Sequence, residues 1–311
     1  MEVSKNFAYG LMVVAAVMWA TSGTFTSLAI EASSTVMQVA VFSTVFTAAV
    51  LLPLIALLDP HSLRMKRKDI LPIFLFSQIT GTFFAIAWYT AVDLTGVATA
   101  VVLLYAYPSI VTIMSVFALS ERLTREKAVA LPLTFVGAVL VVGANNLASG
   151  FKFDALGVAF GISTAVAGAI YYIWGKKFLG DYSANTIVLY MTLFSLPPLV
   201  LIANPISLVH SPLPESAWVY LFLLGLLPGA VGPIVSMVAL KHIQASRASI
   251  IASIEPVAAV AIAYLVLSDT ISVLQGVGVI LVFLGVVMLR LRESPSGEPS
   301  GENPEAVALE R

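Results

Sequence analysis

The residue best placed to do chemistry is Glu255, an acid about ten residues into the otherwise apolar stretch from Ser246 to Leu267. At the centre of a bilayer an acidic side chain costs about 2.5 to 3.5 kcal/mol on insertion scales, so something must offset it. Either it faces a central cavity and binds a ligand ammonium or a proton, or it is a neutral, hydrogen-bonded structural group meeting carbonyls freed beside Pro256. Pro108 and Pro256 each remove a backbone N–H and push away the carbonyl four residues earlier, at Leu104 and Ala252. Such breaks are tolerated at membrane depth where the freed groups meet protein or water, so these prolines mark expected cavity walls. Gly81 and Gly229, the latter beside Pro228 and Pro233, add a second pair, and Gly81, Pro108, Gly229 and Pro256 are the expected hinges.

Around Glu255 the sequence offers an aromatic set with a few polar anchors, the usual make-up of a small-molecule pocket. Gln78, Gly81, Ala85 and Trp88 recur at helical spacing and would share a face. The expected substrate-binding residues are Trp19, Ser22, Gln78, Trp88, Tyr105, Tyr107, Tyr171, Ser249, Ser253 and Glu255. Tyr89, Tyr172, Trp174, Tyr190 and Tyr264 are as deep or close to it, and for a single aromatic plain packing is the simpler account. Catalysis finds no constellation. All six aspartates (Asp59, Asp69, Asp93, Asp154, Asp181, Asp269) and the three histidines (His61, His210, His242) fall near helix ends or loops. Neither paired deep aspartates nor an HExxH zinc site is present, nor a glycine-rich phosphate loop for ATP. No catalytic residue, cofactor or metal is expected.

The elements that must position these residues follow from composition. The chain of 311 residues is 59% hydrophobic, 11% charged and free of cysteine. A soluble domain is about a quarter charged, so a soluble enzyme is excluded. A net charge of −1 leaves no basic face for nucleic acid. A helical span needs about 20 apolar residues. Ten stretches qualify: Ala8 to Ile30, Thr35 to Leu58, Ile70 to Val92, Gly96 to Leu119, Ala128 to Asn146, Ala155 to Trp174, Ala184 to Ala203, Ala217 to Leu240, Ser246 to Leu267 and Ile271 to Leu291. The first has no small-residue cleavage pattern and should stay in the mature chain.

With the N-terminus inside, fifteen of the sixteen Lys and Arg fall in inner segments, and only Lys152 lies outside. Cytoplasmic loops carry this excess, so both ends are expected in the cytoplasm. Residues 1–147 and 154–292 would each hold five helices. The tail 293–311, rich in Ser, Pro, Gly and Glu, cannot bury enough apolar surface to fold.

A shift of 148 residues pairs Gly81 with Gly229, Ala91 with Ala239, Ala100 with Ala248 and Pro108 with Pro256 without a gap. The register continues through Leu119-Ser120-Glu121 against Leu267-Ser268-Asp269, and through Leu133, Phe135, Gly137 and Val139 against Leu281, Phe283, Gly285 and Val287. A register shared over two helix pairs and their loops indicates duplication. Five helices per unit is an odd number, so the second copy enters from the opposite face. Inverted repeats of this kind build alternating-access carriers with a midplane site.

Two five-helix units, each with a Pro-containing helix ending in Ser-Glu or Ser-Asp and a following Phe-x-Gly helix, together with Trp19-Ala20 in the first, resemble the EamA-type transporters of the drug/metabolite transporter superfamily. The resemblance covers about Phe7 to Leu291. Many relatives carry an arginine early in the second helix, where this chain has Phe42 and Ser43, so an anion-binding role there is not carried over. The fold expected is an all-α polytopic membrane protein of ten helices. The function the resemblance implies is secondary, ATP-independent export of small metabolites, foremost amino acids and aromatic ones among them, from the inner membrane of a bacterium. A proton is the candidate coupling ion. The lone midplane acid and the absence of a midplane cation fit a zwitterion better than a phosphate. The alternatives are an exporter of cationic aromatic compounds, with the rings as cation–π partners, and a membrane scaffold. Gly157, Gly161, Ala165 and Ala169 form an expected close-packing seam, and helices 5 and 10 are expected at the periphery, as scaffold or dimer contact. Oligomeric state has no signature in the sequence.

Overall fold

A computed structural model of the chain describes residues 4–143, 154–205, 208, 213–267 and 272–291. The expected end of the first unit at 147, Lys152, His210, Asp269 and the tail 293–311 lie outside the described residues. Among those described, every regular element is helical: α1 (Lys5–Glu31), α2 (Val36–Leu58), α3 (Arg67–Thr95), α4 in two halves (Val97–Leu104 and Tyr107–Leu119), α5 (Arg125–Gly143), α6 (Ala155–Phe178), α7 (Ala184–Ile202), α8 (Glu215–His242), α9 in two halves (Ala245–Ala252 and Glu255–Leu267) and α10 (Val273–Leu291). Nine of them are long and apolar enough to cross a bilayer, and α10, apolar over Val273–Leu289, is the short one.

Helix starts follow local chemistry. Thr35 and Gln38 exchange side-chain and backbone hydrogen bonds in a capping box that opens α2. Asp154 caps α6 and Ser183 caps α7, each accepting from a first-turn amide. Where the sequence predicts kinks, α4 and α9 break outright, at Tyr105–Ala106 and Ser253–Ile254. Each proline then sits in the first turn of the second half, where its missing N–H would have had no partner anyway. The breaks are 148 residues apart. So, within a residue, are two π-helical stretches, Gln78–Phe83 in α3 and Gly225–Val231 in α8.

The packing repeats as well. α1 lies along α8 and α9, and α6 lies along α3 and α4. α2 packs on α8 as α7 does on α3, while α2 meets α7, α4 meets α9 and α5 meets α10. Exchanging every helix for the one five places later leaves this set of pairs unchanged. Close approach is built on small residues. A Cβ on Gly137 would sit 2.8 Å from the Gly278 carbonyl, so α5 and α10 press backbone to backbone. On α6, a Cβ on Gly157 or Gly161 would lie 2.5 Å from Thr95 or Leu103.

One end of the bundle gathers the cation-bearing loops. Lys176 Nζ donates to the carbonyls of Leu240, Lys241 and Ile243 at 2.6, 3.1 and 2.9 Å, tying the end of α6 to the α8–α9 turn. Lys66 pairs with Asp181 at 2.8 Å between the α2–α3 and α6–α7 loops. Both ions are more than half exposed, with side-chain accessibilities of 55% and 63%, so the pair adds little stability.

Candidate substrate-binding site

The two broken helices cross, and their breaks build the site. Tyr107 opens the second half of α4 and its hydroxyl donates to the Ser249 carbonyl on α9 at 3.4 Å. Glu255 opens the second half of α9, at the position that the 148-residue shift equates with Tyr107. It directly follows the α9 break, on the same helix as Ser249. Glu255 is half-buried, and no hydrogen bond or ion pair reaches it among the described residues. The structural alternative, a carboxyl bonded to freed backbone carbonyls, therefore finds no partner.

An aromatic wall completes the surroundings. The Tyr107 and Tyr172 rings stack with centroids 5.7 Å apart and planes within 5°. Tyr171 meets Trp19 edge-on at 6.1 Å, stacks on Phe76 at 6.4 Å and shares a 2.6 Å hydrogen bond with Ser236. The structure thus brings together Tyr105, Tyr107, Ser249 and Glu255 at the crossing, with Ser253 at the α9 break and Tyr171 and Trp19 alongside. Ser249 and Ser253 are buried, and the Ser249 hydroxyl donates to Ser246 O within its own helix at 2.9 Å.

Gln78 is used elsewhere. Its Nε2 donates to the Phe194 carbonyl at 2.8 Å and its Oε1 accepts from Thr82 at 3.0 Å, so it joins α3 to α7. A π turn holds one more residue than an α turn. Each such insertion turns the following side chains by about 100° against α spacing. Gln78, Gly81, Ala85 and Trp88 are therefore not stacked as in a plain helix. Trp88 and Ser22 are half-buried. Gly81 and Gly229 have a role that their hinge assignment missed: a Cβ on Gly81 would lie 2.6 Å from that of Ser195, and one on Gly229 would overlap the Thr47 hydroxyl. Sequence reasoning also passed over Ser236, onto which the 148-residue shift carries Trp88, and Tyr172, hidden among many deep aromatics.

The site is closed unevenly. Every residue from Ala245 to Ala252 is buried. Beneath that half-helix Glu121 accepts from Ala245 N at 2.6 Å, from Ser246 N at 3.3 Å and from the Ser246 hydroxyl, and it pairs with Lys127 at 3.3 Å. Ser120 turns the chain into place with a left-handed backbone (φ 54). Arg247 braces the same end by donating to Tyr9 Oη and Leu289 O, both at 3.1 Å. In the matching half of α4, Val101 to Leu104 are only half-buried.

A separate notch of about 460 Å³ lies at the cation-rich end between the α2–α3 and α6–α7 loops, away from Glu255. Several of its polar groups engage one another. Hydrogen bonds from Ser62 and Asn185 hold the Asp59 carboxyl below its ordinary range, and the Lys66 ammonium does the same for Asp181. These bonds clip the two loops together.

The family model of EamA-like transporters matches residues 6–143 and again residues 155–291. The chain belongs to the EamA-like transporter family. An uncharacterized transporter of Archaeoglobus fulgidus is 27% identical over 210 residues, covering 66% of this chain and 72% of its own. An uncharacterized inner membrane transporter of Salmonella typhimurium, YicL, is 23% identical over 289 residues, covering 90% and 94%. A crystal structure 18% identical in sequence superposes with a TM-score of 0.78 over 93% of this chain and 98% of that one, a likeness of fold. This EamA-like chain is a multi-pass inner-membrane transporter, and both copies of the family unit contribute a broken helix to its centre.

Proposed function

We propose that the protein is a secondary carrier that exports small zwitterionic metabolites, amino acids foremost, through the cavity at the α4–α9 crossing. The observation that carries this reading is Glu255: a carboxyl at the break of a membrane helix, half-buried and without a bonding partner among the described residues. Either a substrate ammonium or a proton supplies the missing positive charge. The doubled family match, the 148-residue spacing of breaks and π stretches, and the self-mapping helix pairs support two inverted five-helix repeats. The gathering of cationic loops at one end supports placing both termini in the cytoplasm. On that orientation, the buried half of α9 over Glu121 supports a state closed to the cytoplasm.

The test is flux of a labelled amino-acid panel, aromatic members included, in proteoliposomes with and without a pH gradient. Flux that follows the gradient in wild type but not in Glu255→Gln is expected if Glu255 couples protons. Flux of no amino acid would refute the substrate class. The ring set around an unpaired acid favours a second reading, export of cationic aromatic compounds. It predicts dye resistance in expressing cells that Glu255→Gln abolishes.

A further inference from the structure

The notch between the α2–α3 and α6–α7 loops is lined by two acids, Asp59 and Asp181, and by His61, Arg64 and Lys66. Each acid already has donors. Asp59 accepts from the Ser62 hydroxyl and from Asn185 Nδ2, and Asp181 accepts from Lys66 Nζ at 2.8 Å. Lys66 thereby uses one of its three ammonium protons. Arg64 and His61 differ: both are exposed, and no hydrogen bond or ion pair engages either side chain among the described residues. The charged group of the notch left without any partner is thus the Arg64 guanidinium. Arg67 and Lys68 follow it, so the stretch from Asp59 to Asp69 carries four cations against two acids. Apolar side chains flank this stretch. Leu57 and Leu58 at the end of α2 are 81% and 77% exposed, and Leu71 in the first turns of α3 is 64% exposed. On helices that cross a bilayer, leucines this open face acyl chains, which puts the notch at the level of the lipid head groups.

We propose that this notch binds the phosphate of an anionic phospholipid, with Arg64 as its anchor and His61 and the spare protons of Lys66 as further donors. A guanidinium presents a planar fork that meets two phosphate oxygens at once. Basic pockets between helices at the membrane surface take lipid head groups in this way. A soluble phosphate brings the same oxyanion, but only a lipid also has chains to lay against the flanking leucines. The volume of about 460 Å³ falls within the range of small-ligand sites, about 300 to 1,000 Å³. The α2–α3 loop lies in the first stretch that the family model matches and the α6–α7 loop in the second. An occupant therefore bridges the two units and adds to the contacts that Asp59 and Lys66 already make across them. The inference is independent of Glu255 and of the substrate.

The experiment is thermal unfolding of the purified full chain in detergent, titrated with phosphatidylglycerol, phosphatidylcholine or inorganic phosphate, for wild type, Arg64→Gln and Lys177→Gln. A ligand of the folded state raises the midpoint. Lys177 is an exposed cation at the same end but outside the notch, so its variant removes the same charge without touching the site. Both variants are expected to keep the lipid-free midpoint, because neither side chain has a partner to lose. Phosphatidylglycerol should stabilise the wild type more than phosphatidylcholine does. The amount needed should rise about 10-fold or more in Arg64→Gln, the worth of a hydrogen bond to a charged group, and stay near the wild-type value in Lys177→Gln. Equal losses in the two variants would reduce the effect to the general attraction between cations and an anionic surface, and would overturn the site. Equal stabilisation by the two lipids, or none by phosphatidylglycerol, overturns it as well. Arg64-dependent stabilisation by inorganic phosphate but not by phosphatidylglycerol would overturn the lipid as the source of the anion.

Discussion

α4 and α9 break 148 residues apart, each two residues before a proline in a matching place, and yet the two breaks do different things. At the first, Tyr107 is neutral, stacked and bonded to the neighbouring helix. At the second, no hydrogen bond or ion pair reaches the equivalent Glu255 among the described residues. The half-helix before Glu255 is wholly buried over Glu121, while the half before Tyr107 is only half-buried along Val101 to Leu104. The same pattern of break and proline occurs in both units, with only the proline kept across Tyr105-Ala106-Tyr107-Pro108 and Ser253-Ile254-Glu255-Pro256. What differs is the side chain that opens each second half and the burial of the half before it.

The widest gap should come from exchanging the chemistry at the two equivalent positions. Glu255→Gln is expected to cut transport by about 10- to 100-fold, the worth of a hydrogen bond to a charged group. Tyr107→Phe should cost only a few-fold, because its ring stacking survives. Initial rates in proteoliposomes measure both, and equal losses would erase the asymmetry.

Next comes the closed half of α9. Glu121→Gln removes the charge facing Lys127, whose side chain is 1% exposed. Breaking a buried pair from one side costs about 3 kcal/mol or more, which should appear as a lower unfolding midpoint. Opening should follow: with no native cysteine to interfere, a Ser249→Cys probe is expected to react faster with a water-soluble thiol reagent once Glu121 is neutral. An unchanged rate would mean that Glu121 braces the fold without gating it.

Gly81→Ala and Gly229→Ala test the π stretches as a matched pair. Overpacking of this kind costs about 1 to 3 kcal/mol, and the symmetry predicts similar losses of midpoint against Ser195 and Thr47. A loss confined to one helix would say that the two stretches have diverged as the breaks have. The smallest effect is expected in the loop clip. Asp59→Asn should lower the midpoint only slightly. The carboxyls of Asp59 and Asp181 are held below their ordinary value of 3.8, so their contribution is present above that pH and is lost as pH falls through the lowered values. Lys66 is raised above 10.5 by Asp181, so its share is present below that value and fades as pH rises through the raised one. A midpoint that Asp59→Asn makes independent of acid would assign the acid sensitivity to this clip.

Much of this frame was legible in the residues. Apolar length places the helices, and the 148-residue register anticipates both breaks because proline leaves a local, unambiguous mark. Glu255 stands out by type alone. The π stretches left no such mark, since Gly81 and Pro228 are compatible with a straight or bent α-helix, and the shifted phase they create scattered the face proposed for Gln78 and Trp88. Glu121 read as one charge in a polar loop. Its burial arises only when the α8–α9 turn, 124 residues later, brings amides onto it. Tyr172 was indistinguishable from its neighbours because its stacking on Tyr107 is a property of what surrounds it.

The breaks also leave four backbone ends inside the bundle. The first halves finish at Leu104 and Ala252, and the second halves begin at Tyr107 and Glu255. A helix ends in uncompensated carbonyls and starts with uncompensated amides, equivalent to about half a negative and half a positive charge. Turn bonds within each break, such as Ala106 N to Leu103 O and Ile254 N to Ile251 O, already use part of these groups, and the prolines bring no N–H. What the main chain contributes at the crossing is the remainder, a weak field of both signs beside Glu255.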